Sequence, residues 1–152
     1  MSHLLPGHTR AALATCLVAL LAIAATAAPA GAAGTGRPLT TALTGAAEVP
    51  GPGDPDGSGT AKLRVNPGTG VICYQLTVTG IEPATAAHIH EAPSDEAGPV
   101  VVSLAAPTDG SSSACTTVAR SLARDIATSP ADYYVNVHNA PYPAGAVRGQ
   151  LG

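Results

Sequence analysis

Apolar residues recur at every second position through much of this chain. Ala61, Leu63 and Val65 alternate with Lys62 and Arg64; Ile72, Tyr74, Leu76 and Val78 alternate with Cys73, Gln75 and Thr77. A period of two puts successive side chains on opposite faces of an extended backbone, so each run reads as a strand buried on one side. Between them, Asn66-Pro67-Gly68-Thr69-Gly70 offers a proline to set the first bend and glycines able to take positive φ, which makes the pair a hairpin. Shorter strand-like runs are predicted at 39–43, 86–91, 100–104, 114–118, 133–138 and 144–151. A Pro/Gly/Asp-rich loop is expected at 48–59, a polar turn region at 108–113, and one or two helical turns at 121–129. Seven or eight short strands with turn signals between them imply an all-β fold, an antiparallel β-sandwich or barrel.

Two segments at the start fall outside that pattern. Residues 1–30 run from a basic polar start through an apolar stretch to small residues around Pro29, the order of a secretory signal peptide. Residues 31–38 read as a flexible lead-in, leaving one domain over 39–152. Beyond the signal, six Lys and Arg stand against ten Asp and Glu, a net charge of −4 with neutral histidines. With no basic stripe, nucleic acid is excluded as a natural partner, and no membrane association is expected once the signal is removed. The expected location is extracellular. The chain has no Trp and no Phe, so its core must be assembled from Val, Leu, Ile, Ala and a few tyrosines. Cys73 and Cys115, the two cysteines left in an exported chain, are expected to form a disulfide.

Candidate chemistry is concentrated in the histidines. Three of the five are His88, His90 and His138, all on strand-like runs. Pleat parity sets His88 and His90 opposite Ile89, and His138 opposite Val135 and Val137, so all three imidazoles turn away from an apolar core. The same argument groups Asn136, Arg148 and Gln150 with them on an outer face that serves as a candidate binding surface. Two histidines at i and i+2 of a strand and a third from another strand can hold copper or zinc with one position open. The competing reading is a set of partly buried, hydrogen-bonded histidines on a polar surface. No activated nucleophile is evident and no catalytic residue is assigned, because the serines cluster in Ser111–Ser113 without a nucleophile elbow. Asp54-Pro55-Asp56-Gly57-Ser58-Gly59 lacks the full ligand ladder of a calcium loop and reads as a plain loop.

Several segments together carry a family resemblance. They are Leu43-Thr44-Gly45-Ala46-Ala47-Glu48-Val49-Pro50, Ala87-His88-Ile89-His90-Glu91-Ala92-Pro93, Gly98-Pro99-Val100-Val101-Val102, Tyr134-Val135-Asn136-Val137-His138 and Gly145-Ala146-Val147-Arg148-Gly149-Gln150-Leu151. In this order they resemble the CHRD domain, a family named for chordin, the extracellular inhibitor of bone morphogenetic proteins, and found also in secreted microbial proteins. The resemblance implies a secreted binding or structural module with an extracellular protein or other ligand as partner, and a Cys73–Cys115 pair like that of secreted bacterial members. Fainter is a resemblance of His88-Ile89-His90-Glu91, Val135-Asn136-Val137-His138 and Arg148 to the copper strand, last ligand and guiding arginine of copper–zinc superoxide dismutases. Such a relationship implies a Greek-key sandwich, as an immunoglobulin-like fold also would. The bridging histidine and the zinc set of those enzymes have no counterpart here, which limits the alternative to a mononuclear site on His88, His90 and His138.

Overall fold

A computed structural model of the chain describes residues 36–152; the segment read as a signal peptide and most of the lead-in lie outside the described residues. Eight strands follow one another: β1 (Arg37–Thr44), β2 (Ser58–Asn66), β3 (Val71–Thr79), β4 (Ala84–Glu91), β5 (Val100–Leu104), β6 (Ser111–Thr117), β7 (Tyr133–Asn139) and β8 (Val147–Gln150). One helix, α1 (Arg120–Thr128), lies between β6 and β7. Every pairing is antiparallel, and the strands form one sheet in the order β5-β4-β7-β8-β1-β2-β3-β6. The halves β5-β4-β7-β8 and β1-β2-β3-β6 meet at a single residue pair, Thr44 with Arg148. So narrow a seam lets the sheet fold over on itself into a nearly closed, sandwich-like barrel.

The alternating positions supply the core. Ala61, Leu63 and Val65 from β2, Ile72, Tyr74, Leu76 and Val78 from β3, and Val135 and Val137 from β7 are buried in one cluster. Helix α1 adds Ala123, Ile126 and Ala127, spaced three and four apart so that they share its inner face. Its last turn stops at Ser129, since the residue before a proline is driven out of the helical region and Pro130 follows. The Arg37 guanidinium donates to the Ala127 carbonyl, tying the helix end to the first strand.

Several expectations about strand limits need correction, among them the last strand, expected over 144–151, which spans only Val147–Gln150. Arg37 and Pro38, expected at the end of the flexible lead-in, are the first residues of β1. Strand β4 begins two residues before the expected Ala86, at Ala84. Ser111, Ser112 and Ser113, expected in a turn, pair with Thr77, Leu76 and Gln75 as the first half of β6. No side chain of β6 is fully buried, so its sequence has no apolar alternation to reveal it; backbone pairing along β3 makes it a strand. The disulfide is present as expected: Cys73 and Cys115 face each other directly in that β3–β6 pairing and are bonded.

Candidate metal centre

Strands β4 and β7 lie side by side, with His88 opposite Asn136, His90 opposite Tyr134 and Ala86 opposite His138. Ala87, Ile89, Val135 and Val137 are buried in the core, so parity turns His88, His90 and His138 onto the other face of the sheet. There the three rings converge. His88 Nδ1 and His138 Nε2 are 3.1 Å apart, and one ring nitrogen from each of the three histidines lies within 4.8 Å of the others.

Two carbonyls fix the tautomers of His90 and His138. His90 Nδ1–H donates to the Gly98 carbonyl at 2.8 Å, and His138 Nδ1–H donates to the Pro143 carbonyl at 3.1 Å. A carbonyl can only accept, so the proton of each neutral ring sits on Nδ1 and the lone pair on Nε2. His90 Nε2 is buried with no hydrogen-bond partner, an acceptor left empty in the interior. His88 Nδ1–H donates to His138 Nε2 at 3.1 Å, and His88 would carry its proton on Nε2 once Nδ1 took an ion. The donor set is therefore His88 Nδ1, His90 Nε2 and His138 Nε2. Burial holds His88 below the ordinary imidazole range, with His138 and His90 pushing the same way. Burial likewise lowers His138, against the Pro143 carbonyl, with His90 adding to the fall. Neutral imidazoles are the metal-binding form.

The face carrying the site is roofed rather than open. Arg148 donates from Nη1 to the Glu96 carbonyl at 2.9 Å and from Nη2 to the Pro93 carbonyl at 2.8 Å. Gln150 Nε2 donates to the carbonyls of Ala92 and Ala131, at 2.8 and 2.7 Å. Gly98 N–H donates to the Tyr134 hydroxyl at 3.2 Å. The loop between β4 and β5 is thus pinned across the sheet by side chains of β7 and β8. Tyr134 is stacked between two groups: the His90 ring at 4.7 Å and nearly parallel, and the Arg148 guanidinium 3.4 Å from the ring centre. Asn136 is 2% exposed and Arg148 1%. Asn136, Arg148 and Gln150 do share the histidine face, but solvent does not reach Asn136 or Arg148. Alternation along a strand sets which way a side chain points and says nothing of the loop that covers it. The guanidinium, matched above to a guiding arginine, is taken up by loop carbonyls and a tyrosine ring.

Glu48, which the sequence placed in a loop, is buried on this side of the sheet. The charge of Arg148, the Asn136 side chain and the Val49 backbone all favour its ionised form, yet burial outweighs these and raises its pKa to about 7. Gly145, at φ +154°, leaves room for it: a β-carbon there would lie 2.3 Å from the carboxyl. Nothing local in Ala46-Ala47-Glu48-Val49-Pro50 marks this glutamate as interior; the only hint is that it lies in the segment matched to the family. By contrast, Asp54 Oδ1 caps the Asp56 N–H in a turn, as the loop reading expected. A recess of about 430 Å³ is lined by Pro38, Thr40, Lys62 and Arg64, among others, on the outer face of β1 to β3. None of the three histidines lines it.

A search of curated proteins finds no match to this chain, and a search of solved structures finds none. The model of the CHRD domain family matches residues 39–151, a span that includes all eight strands apart from the first two residues of β1. With most of its length accounted for in that way, the chain belongs to the CHRD domain family.

Proposed function

We propose that this protein is a secreted, extracellular CHRD domain whose working site binds one copper or zinc ion through His88 Nδ1, His90 Nε2 and His138 Nε2. The observation that carries the reading is the buried, partnerless His90 Nε2 aimed at the same space as His88 Nδ1 and His138 Nε2. Nitrogens each about 2.05 Å from one ion stand roughly 3.3 Å apart at a tetrahedral angle and roughly 3.5 Å apart in a trigonal plane. The 3.1 Å pair is already near those values. A third donor within 4.8 Å needs to close by only about 1–1.5 Å, a movement that rotation of the partly exposed His88 ring can supply. The Gly98 and Pro143 carbonyls act as the outer groups that fix ring orientation and tautomer. Three imidazoles leave a fourth position for a small ligand. Secretion is supported by the apolar leading segment and by a disulfide, a bond that persists in oxidising compartments.

Titration of the purified chain with zinc and with copper tests this reading. One ion per chain should bind, and at a free concentration a hundredfold above Kd linkage adds about 2.7 kcal/mol, a rise in Tm of roughly 10 °C. His88→Ala and His138→Ala should lose that rise. Equal binding by the wild type and both variants would rule the site out.

A further inference from the structure

The roofed polar layer contains more than three ligands require. Three buried polar atoms there have no partner: Glu48 Oε1, His90 Nε2 and Asn136 Oδ1. His90 Nε2 is explained by the metal reading. Glu48 is not, and among the described residues it is the only buried acid. A carboxyl enclosed in this way is a costly choice for a loop residue unless its charge has a use.

Its position relative to the histidines suggests that use. Asn136 acts on the Glu48 carboxyl, stands directly opposite His88 across β4 and β7, and is two residues from His138 on the same face of β7. Asn136 therefore links Glu48 to the histidine face of β4 and β7. From β8, Arg148 is the charged group that acts on the carboxyl, and it opposes Asn136 in the β7–β8 pairing. The loop before β8 presses Gly145 against the carboxyl, and Val49 contributes a backbone N–H. The three proposed ligands are neutral, so a divalent ion would bring two positive charges into this layer with no anionic ligand.

We infer that Glu48 is the buried counter-charge of the metal centre, holding its proton in the metal-free protein and giving it up to solvent when a divalent ion binds. This inference rests on the metal reading above. The step balances simply: the ion enters with its two charges, the O–H bond of the Glu48 carboxyl breaks, and the proton passes to buffer. A cavity of about 210 Å³ bordered by Glu48, Pro50, Pro141 and Tyr142 provides a route out. At an effective dielectric of about 20, a dication roughly 10 Å from an acid lowers its pKa by roughly 2–3, an effect of the size needed to ionise a carboxyl that titrates near neutrality. The same coupling makes Glu48 a specificity-determining residue, favouring a divalent over a monovalent ion at the three imidazoles.

Calorimetric titration with zinc at pH 7, in two buffers of different protonation enthalpy, counts the protons released per ion. With the carboxyl at about 7, the wild type should release about half a proton more than Glu48→Gln, and the difference should vanish by about pH 8.5. Glu48→Gln should also bind zinc roughly 10–100-fold more weakly, the loss usual for an outer-layer partner of a metal ligand. As a readout independent of any variant, difference infrared spectra of the wild type should lose a protonated carboxyl C=O band on zinc addition. Zinc binding with the same proton count in both proteins, or with no carboxyl band lost, would overturn the role of Glu48 and leave the three-histidine site intact. Absence of zinc binding in the wild type would overturn both.

Discussion

His88 Nδ1 and His138 Nε2 stand 3.1 Å apart across two neighbouring strands, although His88 lies between buried Ala87 and Ile89 and His138 follows buried Val137. Two lone pairs cannot face each other at that distance without something between or upon them, so one ring must lend a proton to the contact or an ion must take both. The surrounding polar layer has the same character. It is buried and assembled from charged and amide groups, and its order depends on contacts made by side chains to loop carbonyls.

Arg148 is the strongest of those contacts. Arg148→Ala removes two donors to the 92–98 loop and the cation over Tyr134, and it strips Glu48 of its neighbouring charge. Loss of one partner in a buried charged set costs about 3–5 kcal/mol. The variant should unfold at lower denaturant and become cleavable after Glu96 by a glutamate-specific protease under conditions where the wild type is not cut. Unchanged protection of Glu96 would show that the loop holds itself in place.

Glu48 gives the fold an unusual pH response. Its folded pKa, about 7, is raised above the usual 4.5, so the folded state holds the proton more tightly than the unfolded chain. That contribution is fully present below pH 4.5 and is lost as pH rises through 7. Glu48→Gln has nothing to lose, and relative to wild type it should be more stable by up to roughly 3 kcal/mol at pH 8, with the gap closing near pH 4.5. Urea denaturation of the two metal-free proteins at both pH values measures this directly. A gap independent of pH would contradict the assignment.

The disulfide fastens a strand with no buried side chain of its own. Because the bond joins β6 to β3 and closes a 42-residue separation, its loss should cost about 3–4 kcal/mol by freeing the unfolded chain. Intact mass without reductant should be two hydrogens below the thiol form, and Cys73→Ser with Cys115→Ser should show the stability loss. Alkylation of both cysteines in the untreated protein would refute the pairing.

How much of this could be read from the sequence depended on which force shaped each part. The β2–β3 hairpin was legible because burial on one face writes a period of two into Ala61 to Val65 and Ile72 to Val78. The facing of His88, His90 and His138 was legible for the same reason. Strand β6 was not, since its order comes from backbone pairing that leaves no mark on side-chain polarity. Nor was the roof over Arg148, since alternation has no information about loops from elsewhere in the chain. Glu48 was hidden most completely: its burial depends on Asn136, Arg148 and Gly145, between 88 and 100 residues further along.

The most direct test of the three-histidine centre is a nitrogen-15 correlation spectrum of the imidazole rings during zinc addition. One equivalent of zinc should shift all three together, with His88 metallated at Nδ1 and His90 and His138 metallated at Nε2 while keeping Nδ1–H. Imidazole signals that stay where they were as zinc passes one equivalent would contradict the account.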